Sequence, residues 1–195
     1  SGNYYHAISI GTGEGGAADG FDNVTITNSG TIAGDQTTGD GVDGHAIRVY
    51  GDSSGTTINV KGEPTFTGGI DLGLTTSTIV LASDITKDLT INIYNYDGDL
   101  TITNNLSGND TYSLSSVDLD SDDDADDGVL TIIKEPTLSS SSPADGASNV
   151  GVNDNIVLTF SEAVDAESGN IVIKKSSDDS IVETIDVTGS KVSGS

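Results

Sequence analysis

The residues best suited to chemistry in this chain are carboxylates. Asp118, Asp120, Asp122, Asp123, Asp124, Asp126 and Asp127 crowd together just before Gly128. Calcium takes about six to eight oxygen ligands, and a loop this dense in carboxylates can supply them. Like charges at such spacing repel unless a cation intervenes, which favours calcium over a merely solvated acidic linker. The order is not that of an EF-hand. With Asp122 as the first ligand, Asp127 falls where glycine is required and Ile133 where the closing glutamate belongs.

Other reactive types are sparse. His6 and His45 occupy the same place in a repeat, His-Ala-Ile. They can stack on adjacent turns of chain, as a shared metal site or, by preference, as a repeat-encoded structural position. The glycine-rich stretch from Gly11 to Asp22 lacks the Lys-Ser/Thr pair of a phosphate loop and is read as turn chemistry. Ser and Asp are too common for any Ser-His-Asp arrangement to be argued from spacing. Tyr4, Tyr5, Tyr94 and Tyr96 could face a carbohydrate, though packing is their default role. The glycosylation sequons at Asn23, Asn105 and Asn109 are read as chance. No catalytic residue is assigned.

Charge narrows the partners. Seven basic residues face 31 acidic ones, for a net charge of −24, and Arg48 is the only arginine. Binding nucleic acid requires a basic patch to replace phosphate counterions, so DNA and RNA are excluded as partners. The same argument disfavours an anionic membrane surface, and no apolar run approaches the ~18 residues of a membrane helix. With no cysteine there is no disulfide, zinc-thiolate or cysteine nucleophile. The chain contains no methionine and begins Ser1-Gly2-Asn3, so it is expected to be a processed or excised piece of a longer, exported protein.

The elements that must position these residues are strands. Gly, Thr, Asn, Ser and Asp dominate, and all disfavour helix interiors. Val24-Thr25-Ile26-Thr27, Thr57-Ile58-Asn59-Val60, Leu89-Thr90-Ile91-Asn92-Ile93 and Leu100-Thr101-Ile102-Thr103 alternate apolar with polar. Ile47-Arg48-Val49 and Val129-Leu130-Thr131-Ile132-Ile133 add two more. Period-two alternation buries one face and leaves a Thr/Asn face in water, so the fold class is all-β. His6–Ile10 repeats as His45–Val49 at an offset of 39, and Val24–Ile32 repeats as Ile58–Phe66 at an offset of 34. Repeats that keep their strands and vary their loops suggest a β-solenoid, each turn stacking on the last.

Asn28-Ser29-Gly30-Thr31-Ile32-Ala33-Gly34, Gly44-His45-Ala46-Ile47-Arg48-Val49 and Gly68-Gly69-Ile70-Asp71 resemble the β-helical passenger regions of autotransporter-type adhesins. This likeness covers roughly residues 6 to 105 and implies a parallel β-helix. An antiparallel sandwich is the alternative left open by the strand pattern. Leu106-Ser107-Gly108-Asn109-Asp110-Thr111-Tyr112 is similar to one unit of the calcium-binding nonapeptide repeats of secreted toxins. Asn109 and Asp110 are therefore further candidate ligands, although a single unit cannot stack into a calcium-bridged roll and an Asn-Asp turn is the plainer reading.

A second resemblance begins at Pro136. Ser142-Pro143-Ala144-Asp145-Gly146-Ala147-Ser148-Asn149-Val150, followed by Ile156-Val157-Leu158-Thr159-Phe160-Ser161-Glu162-Ala163-Val164-Asp165, resembles the bacterial Ig-like domain of S-layer and other large surface proteins. Ile171-Val172-Ile173 and Ile181–Val187 read as further strands. About 60 residues are present where a full sandwich needs ~100, so the Ig-like part is expected to be incomplete. Its remaining strands would come from continuation of the chain or from another chain.

The expected organisation is a solenoid-like module over 1–116, an Asp-rich junction over 117–135 and a partial Ig-like domain over 136–195. The resemblances imply an extracellular, bacterial, non-enzymatic structural protein that packs against copies of itself or other surface modules in an S-layer, filament or sheath, stiffened by calcium. An adhesin stalk binding glycans is the first alternative. A polysaccharide-active β-helix enzyme is the second, disfavoured by an aromatic content of 5 % and few lysines.

Overall fold

A computed structural model describes residues 6–11, 21–34, 44–51, 53–96, 100–120 and 126–194. The described residues contain strands and turns and no helix. The chain divides into two compact units, Ser1–Glu135 and Pro136–Ser195.

The first unit repeats a short cycle of strands. β1 (Ile8–Ile10), β2 (Thr25–Asn28) and β3 (Thr31–Ala33) make the first turn. β4 (Ile47–Val49), β5 (Thr56–Val60) and β6 (Thr65–Thr67) make the second. β7 (Ile70–Asp71) with β8 (Ser77–Leu81), then β9 (Leu89–Tyr94) with β10 (Leu100–Asn104), follow. Each strand pairs in parallel with its counterpart one turn on, in three separate ladders: β1–β4–β7–β9, β2–β5–β8–β10 and β3–β6. The pairing direction then reverses. β12 (Gly128–Ile133) lies antiparallel to β9, and β11 (Thr111–Ser116) lies antiparallel to β12 at the edge of the six-stranded sheet.

Parallel register stacks identical side chains. Ile8, Ile47, Ile70 and Ile93 are successive partners in the first ladder, and Ile26, Ile58, Ile79 and Ile102 in the second. Ile47, Ile58, Ile70, Ile79 and Ile93 are fully buried. Burying each such side chain contributes roughly 1.5–3 kcal/mol, and these stacks form the core. The outward residues of β5 are Thr57 and Asn59, and Asn59 donates to Thr27 on the neighbouring strand at 3.1 Å.

The register corrects one expectation. The 39-residue offset holds in the first ladder, where Ile8 pairs with Ile47. In the second, Ile26 pairs with Ile58, an offset of 32 rather than 34. The offset of 34 is recovered only at β3, where Thr31 pairs with Thr65. Ser29 and Gly30 span the first corner, while Lys61 to Pro64 span the second, so two additional residues are absorbed after β5. Because side chains alternate with period two, a two-residue slip leaves the same residues facing inward. Pro64 sits at that corner, immediately before β6, where its missing N–H is harmless.

The second unit holds β13 (Leu138–Ser142) antiparallel to β14 (Val157–Phe160), and β15 (Asn170–Lys174) antiparallel to β16 (Ile181–Asp186). The turn joining the latter pair is closed by Asp178, whose carboxylate accepts the Ser180 N–H at 3.1 Å. No described residue of this unit is buried, and Val157, Ile181 and Val182 are 53 %, 64 % and 59 % exposed. Two-stranded sheets of this kind are marginal alone and gain stability by covering an apolar face.

Candidate functional site

The acidic junction places three of its aspartates together. Carboxylate oxygens of Asp118, Asp120 and Asp127 lie within 4.8 Å of one another. They converge because β12 begins directly after Asp127, while Asp118 and Asp120 follow the end of β11, its antiparallel partner. Asp118 and Asp120 are exposed, and Asp127 is 2 % exposed. Asp127 also has a structural task. Its Oδ1 accepts the Asn95 N–H at 2.9 Å, and its Oδ2 accepts the Leu119 N–H at 3.0 Å. A carboxylate oxygen has a second lone pair, so this geometry is compatible with a cation and also explains the burial of Asp127. Asp126 contributes its backbone carbonyl to the Tyr96 N–H at 2.8 Å. Asp122, Asp123 and Asp124 lie outside the described residues. Three carboxylates fall short of a calcium shell by themselves, so further ligands would have to come from neighbouring oxygens or water.

Asn109 and Asp110 are in the turn between β10 and β11, and Asp110 is engaged within the protein. Its carboxylate pairs with Lys134 and accepts N–H of Glu135 at 3.0 Å and the Ser107 hydroxyl at 3.1 Å. Burial pushes the Asp110 carboxyl up, but the Lys134 ammonium and the Glu135 and Ser107 donors outweigh it and hold it below the usual range. Asn109 is exposed on the same turn.

A second cluster forms on the six-stranded sheet, and it gathers the chain's only arginine and both histidines. Arg48 of β4 and Asp71 of β7 are register partners, and Tyr94 of β9 is the next partner of Asp71. Asp71 is 1 % exposed. Its Oδ1 accepts the Gly73 N–H at 2.9 Å and the Asn95 side-chain amide at 3.2 Å, and Arg48 Nη1 lies 3.0 Å from its Oδ2. Gly73 is required there: its φ is +57°, and a Cβ would stand 2.0 Å from the Val49 carbonyl oxygen. Burial raises the Asp71 carboxyl above its ordinary value despite the opposing Arg48 charge and the two donors.

The histidines meet as their repeat positions imply. The rings of His6 and His45 stack with centroids 5.4 Å apart, and Tyr94 packs edge-on to His45 at 4.8 Å. His6 Nδ1 accepts the backbone N–H of His45 at 3.0 Å, which occupies one ring nitrogen that a metal would need. His45 Nδ1 is 3.8 Å from Asp71 Oδ2. Of the tyrosines weighed as a carbohydrate face, Tyr94 is committed to His45, Tyr96 packs on the core, and Tyr4 and Tyr5 lie outside the described residues.

Sequence reasoning missed Asp71. Gly68-Gly69-Ile70-Asp71 is legible as a repeat motif, but nothing in it gives Asp71 a role, and only the pairing of β7 between β4 and β9 brings its carboxylate beneath Arg48. As a strand this repeat is only two residues long.

Among the described residues no helix is long and apolar enough to cross a membrane. No curated protein and no solved structure matches the chain. Residues 133–193, including all of β13 to β16, match the family model of the bacterial Ig-like domain.

Proposed function

We propose that this chain is part of a structural protein of the bacterial cell surface, in which a β-solenoid stack and an Ig-like module serve as building blocks of an extracellular array, filament or sheath. The observation that carries this reading is the Ig-like match over residues 133–193, a non-enzymatic family type of bacterial surface-associated proteins. The parallel ladders of the first unit support it, since stacked turns form an extended scaffold. The charge of −24 keeps such modules soluble and self-repelling until a cation screens them. Calcium at Asp118, Asp120 and Asp127 would supply that screening at the junction.

Electron microscopy of the native material with and without a calcium chelator tests the reading. Ordered sheets or filaments that disperse on chelation are expected. Ordered assemblies indifferent to chelation would keep the scaffold and remove calcium from it. Isolated rods that bind glycans and never assemble would replace the array with an adhesin stalk.

A further inference from the structure

We propose that the His6–His45 pair is an acid-released clasp: neutral His6 holds β1 against β4, and protonation of His6 frees β1 while the turns behind it stay folded. The hydrogen bond between His6 and His45 sets the required charge state. The donor is a backbone N–H, whose hydrogen cannot be reassigned, so Nδ1 of His6 must carry a lone pair. An imidazolium has a proton on both ring nitrogens and cannot accept. Protonating His6 therefore breaks the contact outright.

The surroundings act in the same sense. His6 faces His45 and Arg48 from the β4 segment and Asp71 from β7, while Tyr94 of β9 packs behind His45. Asp71 is the acidic group in this set, and Arg48 is already its ion pair. A cation at His6 would join two other basic groups. Burial, then Arg48 and His45, hold the His6 imidazole below its ordinary value, against the weaker pull of Asp71. Since the folded protein disfavours the imidazolium, the contribution of His6 is complete above the ordinary histidine pKa of about 6.5 and fades as pH falls through the depressed value.

The release is local because β1 is the end strand of its sheet and is anchored at the end away from His6, where Ile10 is buried. Ile8, next to the clasp, is only half-buried, whereas its partner Ile47 and the next, Ile70, are fully buried. The amides that report opening are those of Ala7 and Ile8, which donate to His45 and Ala46 carbonyls at 3.1 and 3.0 Å, and that of His45.

Amide hydrogen exchange followed by NMR between about pH 7.5 and 5 tests the clasp. After correction for intrinsic exchange, protection at Ala7, Ile8 and His45 is expected to fall several-fold as the pH is lowered across this range, while amides of β5 and β8 hold. His6→Asn places a non-titrating acceptor, Oδ1, where Nδ1 stands, so its profile should be flat. Unchanged protection in the native chain, or the same fall in H6N, would overturn the proposal. A test that needs no variant is the His6 tautomer from its ring nitrogen shifts. Nε2–H at neutral pH supports the clasp and Nδ1–H refutes it.

Discussion

Arg48 Nη1 stands 3.0 Å from Asp71 Oδ2, across the β4–β7 pairing in which the two residues are partners. The carboxylate is buried, and the guanidinium is partly exposed above it. Removing the cation leaves a buried charge uncompensated, which costs about 3–5 kcal/mol, whereas replacing the anion by a neutral isostere is far milder. Arg48→Gln is therefore expected to destabilise strongly in urea unfolding, and Asp71→Asn weakly. The double variant should recover most of the loss. Equal and additive losses would show that the pair is not coupled.

Asp110 and Asp71 give opposite acid responses. Asp110 is held below its ordinary value, so its contribution is complete above about pH 3.8 and is lost as pH falls through the depressed value. Asp71 is raised, so its contribution is complete below its ordinary value and is lost as pH climbs through the folded one. The urea midpoint of Asp110→Asn should fall less steeply than that of the native chain in strong acid. That of Asp71→Asn should lose less stability than the native chain on the way from acid to neutral pH.

The junction aspartates are separable by substitution. Asp127 anchors two backbone amides, so Asp127→Ala should lower the melting temperature whether or not calcium is present. Asp118→Asn with Asp120→Asn should abolish the calcium-dependent rise in melting temperature. A cation at about 100 times its dissociation constant adds ~2.7 kcal/mol. A native melting temperature indifferent to millimolar calcium would remove the ion from the junction.

The isoleucine stacks grade from centre to edge. Ile58 is fully buried between Ile26 and Ile79, while Ile26 lies on the outermost strand of its ladder and is half-buried. Ile58→Ala is expected to cost about 2–5 kcal/mol and Ile26→Ala distinctly less. Chemical denaturation of the two variants measures the difference.

The inward residues were legible because β-branched side chains alternate with Thr and Asn. Ile47, Ile58, Ile91, Ile93 and Leu130 all fall on the buried face that alternation assigns them. The polar edge strands were not. Thr111–Ser116 and Leu138–Ser142 are mostly serine, threonine and exposed, so their strand character comes from pairing with β12 and β14 rather than from their own pattern. The site divides in the same way. The stacking of His6 on His45 follows from one offset in the sequence, whereas burial of Asp71 depends on three strands meeting and on Arg48 lying over it. The convergence of Asp118, Asp120 and Asp127 likewise needs β11 to fold back on β12.

The change from parallel to antiparallel pairing at β9 gives the six-stranded sheet a terminator. A strand that runs backwards cannot template another copy of the repeat in the same direction. The parallel run of that sheet therefore stops at β9, while the neighbouring ladder still ends on the parallel strand β10. The direction of one strand thus sets where the stacked isoleucines give way to the hairpin that gathers the aspartates.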